Sequence, residues 1–170
     1  MRELRRETLA AAAIALACLP ACGGSDDGGG AAKAAEAGPP TGKVILNFDL
    51  ADSARTSTAL VDPPKGHAYG RLYFTEDVGL TGPHDGATLG QSVDVVIDVT
   101  AGGPSKEVWT SAPMLVQHYT FLGFFDVDGN GATDRNPESG DPATLPTTNK
   151  FDVKANQTTQ ATVLFDLVLN

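Results

Sequence analysis

The segment KVILNFDL at residues 43–50 is the clearest indication of the fold class, because apolar and polar side chains alternate along it. Val44, Leu46, Phe48 and Leu50 fall at every second position. Side chains two residues apart point to the same face of a β-strand. The stretch therefore predicts a strand with one face buried in a core and the other largely exposed to water.

The same alternation recurs further along the chain. It is clear at residues 93–99 and 163–169, and shorter candidates lie at 68–75, 108–111 and 150–153. Turn-forming residues separate these segments, among them Asp62-Pro63-Pro64, Gly102-Gly103-Pro104 and Asn130-Gly131. No window after the linker described below keeps a helical period for more than a turn or two. The pattern thus predicts strands joined by turns.

One segment differs from the others because it is apolar on both sides. Residues 119–125 have the sequence YTFLGFF. A strand at the edge of a sheet rarely needs two apolar faces, so this segment is predicted to be a central strand, buried on one face and half covered on the other. It leads directly into the acidic segment DVDGNG at residues 126–131.

About seven short strands without helices predict an all-β fold, an antiparallel β-sandwich over residues 43–170. The arrangement, in which a tyrosine-containing strand leads into an acidic glycine loop, resembles the prealbumin-like and Ig-like modules of bacterial surface proteins. The length suffices for one hydrophobic core.

The N-terminal segment is typical of export. Basic residues at Arg2, Arg5 and Arg6 precede an apolar run over residues 9–19, which is too short to span a bilayer. The sequence LPAC at residues 19–22 resembles the lipobox of bacterial lipoproteins. That resemblance implies a signal peptide at residues 1–21, acyl chains such as palmitate on Cys22, and a place in the cell envelope. Gly23 after the cysteine favours the outer membrane, by analogy with sorting in that family.

Residues 22–42 are rich in Gly, Ala and Pro, which predicts a disordered, flexible linker between the membrane anchor and the folded domain. Both cysteines, Cys18 and Cys22, precede this domain, so no disulfide is expected within it. The net charge of −9 and the lack of a basic cluster exclude nucleic acid as a partner. The expected partners are the membrane and a protein or glycan that the sequence does not specify.

The acidic segment has the spacing of a calcium-binding loop. Ca²⁺ takes six to eight oxygen ligands, and EF-hand-type loops supply them from alternate positions, with glycine at the sixth. The segment resembles the calcium loops of dockerins, thrombospondin type 3 repeats and certain β-sandwich modules. The ligands expected from this spacing are Asp126, Asp128, Asn130, the carbonyl of Ala132, Asp134 and, beyond the usual positions, Glu138.

The loop departs from that pattern at its twelfth position, where Pro137 replaces the bidentate acid. Glu138 and Asp141 lie further on and reach the ion only if the loop bulges. An alternative interpretation is a solvated turn, because Asp-Gly and Asn-Gly are common in hairpins. However, clustered carboxylates repel each other, and the connection from 126 to 149 is long for one without secondary structure. Calcium accounts for both features.

Other chemistry finds little support in the sequence. His67, His84 and His118 do not have metal-ligand spacing, although Met114 near His118 leaves a copper site open. No Gly-x-Ser-x-Gly motif is present, so we expect a protein that is not an enzyme. The predicted function is a lipid-anchored binding or structural module. The alternative is an envelope hydrolase or carbohydrate-binding protein, and the aromatic residues considered for a sugar platform are Trp109, Tyr69, Tyr73 and Tyr119.

Overall fold

The alternating segments form strands in the computed structural model, which describes residues 38–60 and 64–169. The all-β fold predicted from the sequence is confirmed, and all seven predicted strands are present. The described residues contain twelve strands, several of them only two residues long: β1 (Thr41–Leu50), β2 (Lys65–Phe74), β3 (Val78–Gly79), β4 (Gly82–Pro83), β5 (Leu89–Asp98), β6 (Val108–Thr110), β7 (Met114–Leu115), β8 (His118–Asp126), β9 (Pro142–Ala143), β10 (Lys150–Asp152), β11 (Thr158–Phe165) and β12 (Leu167–Val168).

Helical structure in these residues is short. The α-helix α1 spans Asp52–Arg55, and 3₁₀ turns cover Thr75–Asp77 and Asn130–Ala132. No helix in the described ranges is long and apolar enough to cross a membrane. The predicted signal peptide, Cys22 and most of the predicted linker lie outside the described residues.

The strands form two main sheets. The first has the order β11-β1-β6, with β7 also paired to β1. The second has the order β12-β9-β8-β2-β5, with β10 also paired to β8. The strands β3 and β4 form a separate small hairpin. The strand β8 therefore lies inside its sheet, as its two apolar faces predict.

The described pairings are antiparallel except one. The first and last long strands, β1 and β11, run parallel, with Phe48 opposite Val163 in the register. A parallel pair requires a long connection between its strands, and here nearly the whole domain separates them.

Aromatic rings from both sheets form the centre of the core. Phe48 of β1 and Phe165 of β11 stack with their ring centroids 6.3 Å apart. Phe121 and Phe125 of β8 contact them from the second sheet, at 6.2 Å from Phe48 and 5.8 Å from Phe165. All four side chains are fully buried. These contacts hold the two sheets face to face.

Three boundaries differ from the expectation. The strand β1 begins at Thr41, inside the predicted linker, because Thr41 and Gly42 pair with β7. The predicted strand at 163–169 is broken at Asp166, where the chain crosses from the first sheet to the second. The connection after residue 126 was expected to lack secondary structure, but it contains a 3₁₀ turn and β9.

Candidate metal centre

The candidate centre begins at Asp126, the last residue of β8. Its register partner across the sheet is His67 of β2, so both side chains lie on the outer face of the second sheet. Asp126 is nevertheless only 1% exposed. Its Oδ1 accepts a 2.7 Å hydrogen bond from the Gly129 N–H, whereas its Oδ2 is buried and has no hydrogen-bond partner among the described residues. An unsatisfied buried carboxylate oxygen is costly unless a cation balances it.

The turn after β8 positions Asp128. Gly129 has a φ of +83°, a left-handed conformation that favours glycine, and this turns the chain back. The Asp128 side chain is exposed, and its Oδ1 accepts a 3.1 Å hydrogen bond from the Asn130 N–H. These short-range bonds are typical of Asp-x-Asn turns, and they fix the carboxylate beside Asp126.

The third acid is Asp141, immediately before β9. It is 1% exposed, and its backbone is held by a 3.1 Å hydrogen bond from the Leu169 N–H to the Asp141 carbonyl. Its two carboxylate oxygens accept the backbone N–H groups of Val127 and Glu138 at 3.3 and 3.0 Å. Burial raises the pKa of Asp141, and the charges of Asp126 and Asp128 add to that increase.

The three carboxylates converge. One carboxylate oxygen from each of Asp126, Asp128 and Asp141 lies within 4.8 Å of the other two. In the described ranges, this is the one group of three or more acidic, histidine or cysteine side chains with such spacing. Three like charges at this distance repel one another, and a hard divalent cation with oxygen ligands would neutralise them. The donor set fits Ca²⁺ or Mg²⁺ better than a soft metal.

The other predicted ligands lie around this triad in different ways. Asn130 is adjacent, and its amide donates to Asp128 Oδ2 at 3.0 Å and to Glu138 Oε2 at 3.2 Å. Glu138 therefore lies on the same side of the loop, linked to the triad through Asn130. Ala132 is exposed at the end of the 3₁₀ turn.

Asp134 does not belong to the triad. Its Oδ1 accepts a 3.1 Å hydrogen bond from the Asn136 N–H, and this bond lowers the pKa of Asp134. The third carboxylate of the triad belongs instead to Asp141, further along the loop. The spacing alone could not select Asp141, because Pro137 occupies the twelfth position and Asp141 meets the other two acids only where the loop folds back.

The remaining sequence candidates lie apart from this centre. His118 is exposed and its Nδ1 is 2.6 Å from Asp152, whereas Met114 is buried in the core. Tyr119 is also buried in the core, and Trp109 of the first sheet is partly buried and packs against that core. Tyr69 and Tyr73 share the outer face of β2, on the same sheet as Asp126.

Comparison with known proteins finds no family model, no curated protein and no solved structure that matches this chain. The geometry and the sequence therefore carry the functional argument.

Proposed function

We propose that this protein is a non-catalytic lipoprotein of the cell envelope, whose β-sandwich is stabilised by a calcium ion and serves as a binding or structural module. The lipobox-like LPAC at residues 19–22 and the Gly/Ala/Pro-rich linker support the anchored location, on the outer membrane by the analogy with Gly23. Acyl chains on Cys22 would hold the domain near the membrane, because several buried chains bind stably where one does not.

One observation carries the calcium assignment, namely the buried Oδ2 of Asp126. This oxygen lies in a cluster with two other carboxylates and lacks a donor among the described residues. Asp126, Asp128 and Asp141 would supply the carboxylate ligands. Asn130 and Glu138 lie beside these carboxylates and would complete the coordination shell of the ion. Asn130 would do so after its amide group rotates to direct the oxygen toward the ion. The ion would fasten the loop after β8 to the strand β9.

A binding or structural function is favoured over a hydrolase by the protonation state of an acid on the outer face of the second sheet. On that face, Asp94 lies beside a histidine, with its Oδ1 3.2 Å from His67 Nδ1. Burial acts to raise the pKa of Asp94, but hydrogen bonds from Arg135 and His67 outweigh it and the net pKa is lowered. A carboxyl group held in its charged form is poorly suited to donate a proton in hydrolysis.

The test is thermal unfolding of the full chain in calcium and in a chelator. Calcium at a hundredfold excess over its Kd would stabilise the fold by about 2.7 kcal/mol, which corresponds to roughly 10 °C in Tm for a domain of this size. Asp128→Ala, which removes the ligand oxygens of that side chain, should abolish this shift. Asp134→Ala, which changes an acid of the same loop outside the triad, should retain it. An equal Tm in both buffers would contradict the proposal.

A further inference from the structure

An open groove crosses the outer face of the second sheet beside the acidic triad. It has a volume of about 800 Å³, within the range of small-ligand sites. Strands β2, β5 and β8 form its floor, and residues 135–137 of the loop after β8 form part of its wall. The side chains that matter below are Tyr69, Arg71, Tyr73, Ser92, Asp94 and Arg135.

The wall at Arg135 is held in place by several contacts. Arg135 has a φ of +58°, which is uncommon for a residue other than glycine and marks a conformation that the surroundings impose. Its guanidinium lies 3.9 Å from the centroid of the Tyr69 ring, and its Nη1 donates to Asp94 Oδ2 at 3.0 Å. Asp94 thus neutralises Arg135 and fixes its position.

The floor carries a second arginine whose charge is not neutralised in this way. Arg71 is exposed on β2 between Tyr69 and Tyr73, and it has no ion-pair partner among the residues that the structure describes. Its register neighbours are Leu122 and Ser92, neither of them acidic. The charged side chains of the groove lining are Arg71, Arg135 and Asp94, so the lining itself carries one excess positive charge in a chain with a net charge of −9. Screening limits the repulsion from acids further than about 10 Å away.

The floor also limits what kind of molecule binds. The strand β2 is paired on both sides, with β5 and β8, so its backbone groups are used within the sheet. An extended peptide lying over β2 could therefore not pair with that strand, and the sheet's outer strand on this side is β5. The groups on the floor that can contact a ligand are the half-buried ring of Tyr73, the hydroxyl of Ser92 and the guanidinium group of Arg71. A ring packs against the apolar face of a sugar, hydroxyl groups bond to each other, and the guanidinium pairs with a carboxylate.

We propose that this groove binds glycans that contain carboxylated sugars, with Arg71 as the residue that binds the carboxylate. The proposal rests on the binding role proposed above, but not on the calcium ion. The wall residues 135–137 belong to the loop that carries the triad, so the same loop contributes to both sites.

The experiment is isothermal titration of the full chain in mild detergent. The probes are oligosaccharides of glucuronate, galacturonate and sialic acid, a neutral chitin oligosaccharide, and a peptide with a free C-terminal carboxylate. We expect an acidic oligosaccharide to bind, and Arg71→Gln to weaken it tenfold or more, as loss of a charged hydrogen bond does. Arg71→Lys should restore only part of the affinity. Lys106→Gln, at an exposed lysine away from the groove, should leave the affinity unchanged.

Three results would overturn the proposal: no acidic oligosaccharide binds, the neutral one binds equally well, or only the peptide binds in a manner that depends on Arg71. Unfolding of the same preparation in calcium and in chelator separates the two proposals. A calcium-dependent Tm without glycan binding would refute the groove assignment alone. Glycan binding without a calcium-dependent Tm would refute the metal assignment alone.

Discussion

At the scale of single residues, Asp126 connects the sheet to the loop. Its backbone is part of the β8 ladder, and its carboxylate starts the turn that carries Asp128. Gly66 of β2 makes this possible, since a Cβ there would lie 1.9 Å from the Asp126 carbonyl oxygen. One carboxylate oxygen bonds to the turn, and the other is left to face its acidic neighbours. A residue that ends a strand thus also begins the candidate metal centre.

Asp126→Asn tests this assignment because it should raise the stability of the calcium-free protein, whereas a substitution that merely disrupts the fold would lower it. The amide oxygen can still accept the Gly129 N–H, while the new NH₂ places a donor beside two carboxylates and removes one of three like charges. We expect the chelated protein to gain about 1 kcal/mol in free energy of unfolding, and its Tm to stop responding to calcium. Denaturant unfolding with and without calcium measures both effects. A variant that is less stable in chelator and still responds to calcium would contradict the assignment.

At the scale of elements, the pairing of β2 with β8 supports both candidate sites. Gly70 and Gly123 are directly opposite in this pair, and the ring of Phe121 fills the space on their inner face. A Cβ on Gly123 would lie 2.2 Å from the Tyr69 carbonyl oxygen, which belongs to the neighbouring backbone. The two glycines therefore let a large aromatic side chain pack under the floor of the groove.

Gly123→Ala should consequently destabilise the protein, because the neighbouring backbone must shift to admit the methyl group. We expect a loss of about 1–3 kcal/mol, the usual cost of overpacking, as measured by urea unfolding. Gly103→Ala is the matched control, since nothing lies within 4 Å of a Cβ at that position. If both variants lost the same stability, close packing at Gly123 would not be the cause.

At the scale of the whole molecule, the two sheets depend on a core to which the first and last long strands contribute. Phe165 of β11 contacts Phe48 in its own sheet and Phe125 in the other. The parallel pairing of β1 with β11 brings residues more than a hundred positions apart into contact, for example Asn47 and Ala161. The domain is therefore expected to unfold in one cooperative step.

Phe165→Ala removes a fully buried ring shared by both sheets. The expected cost is about 3–5 kcal/mol, a large part of the stability of a typical domain. Trp109 fluorescence, which reports on the first sheet, and far-ultraviolet circular dichroism should give the same midpoint. The neighbouring substitution Leu164→Ala, on the exposed face of the same strand, should cost much less. Separate midpoints for the two signals would show that the sheets do not unfold together.

The strands and the start of the acidic turn could be predicted from the amino-acid sequence. The alternation of apolar and polar residues at 43–50 and 93–99 involves only residues close together in the chain. The same is true of the spacing of Asp126, Asp128 and Asn130. Such patterns are local, because side-chain direction along a strand and hydrogen bonding within a turn depend on adjacent residues.

The contacts between residues far apart in the chain became known only from the folded domain. The convergence of Asp141 with Asp126 depends on how the loop after β8 folds back and on the pairing of β9 with β8 and β12. The position of Arg71 on the floor of a groove depends on the register of β2 between β5 and β8. The parallel alignment of β1 with β11 and the break at Asp166 follow from how two sheets close over one core. Register and sheet order arise from burial across the whole domain, so no local pattern encodes them.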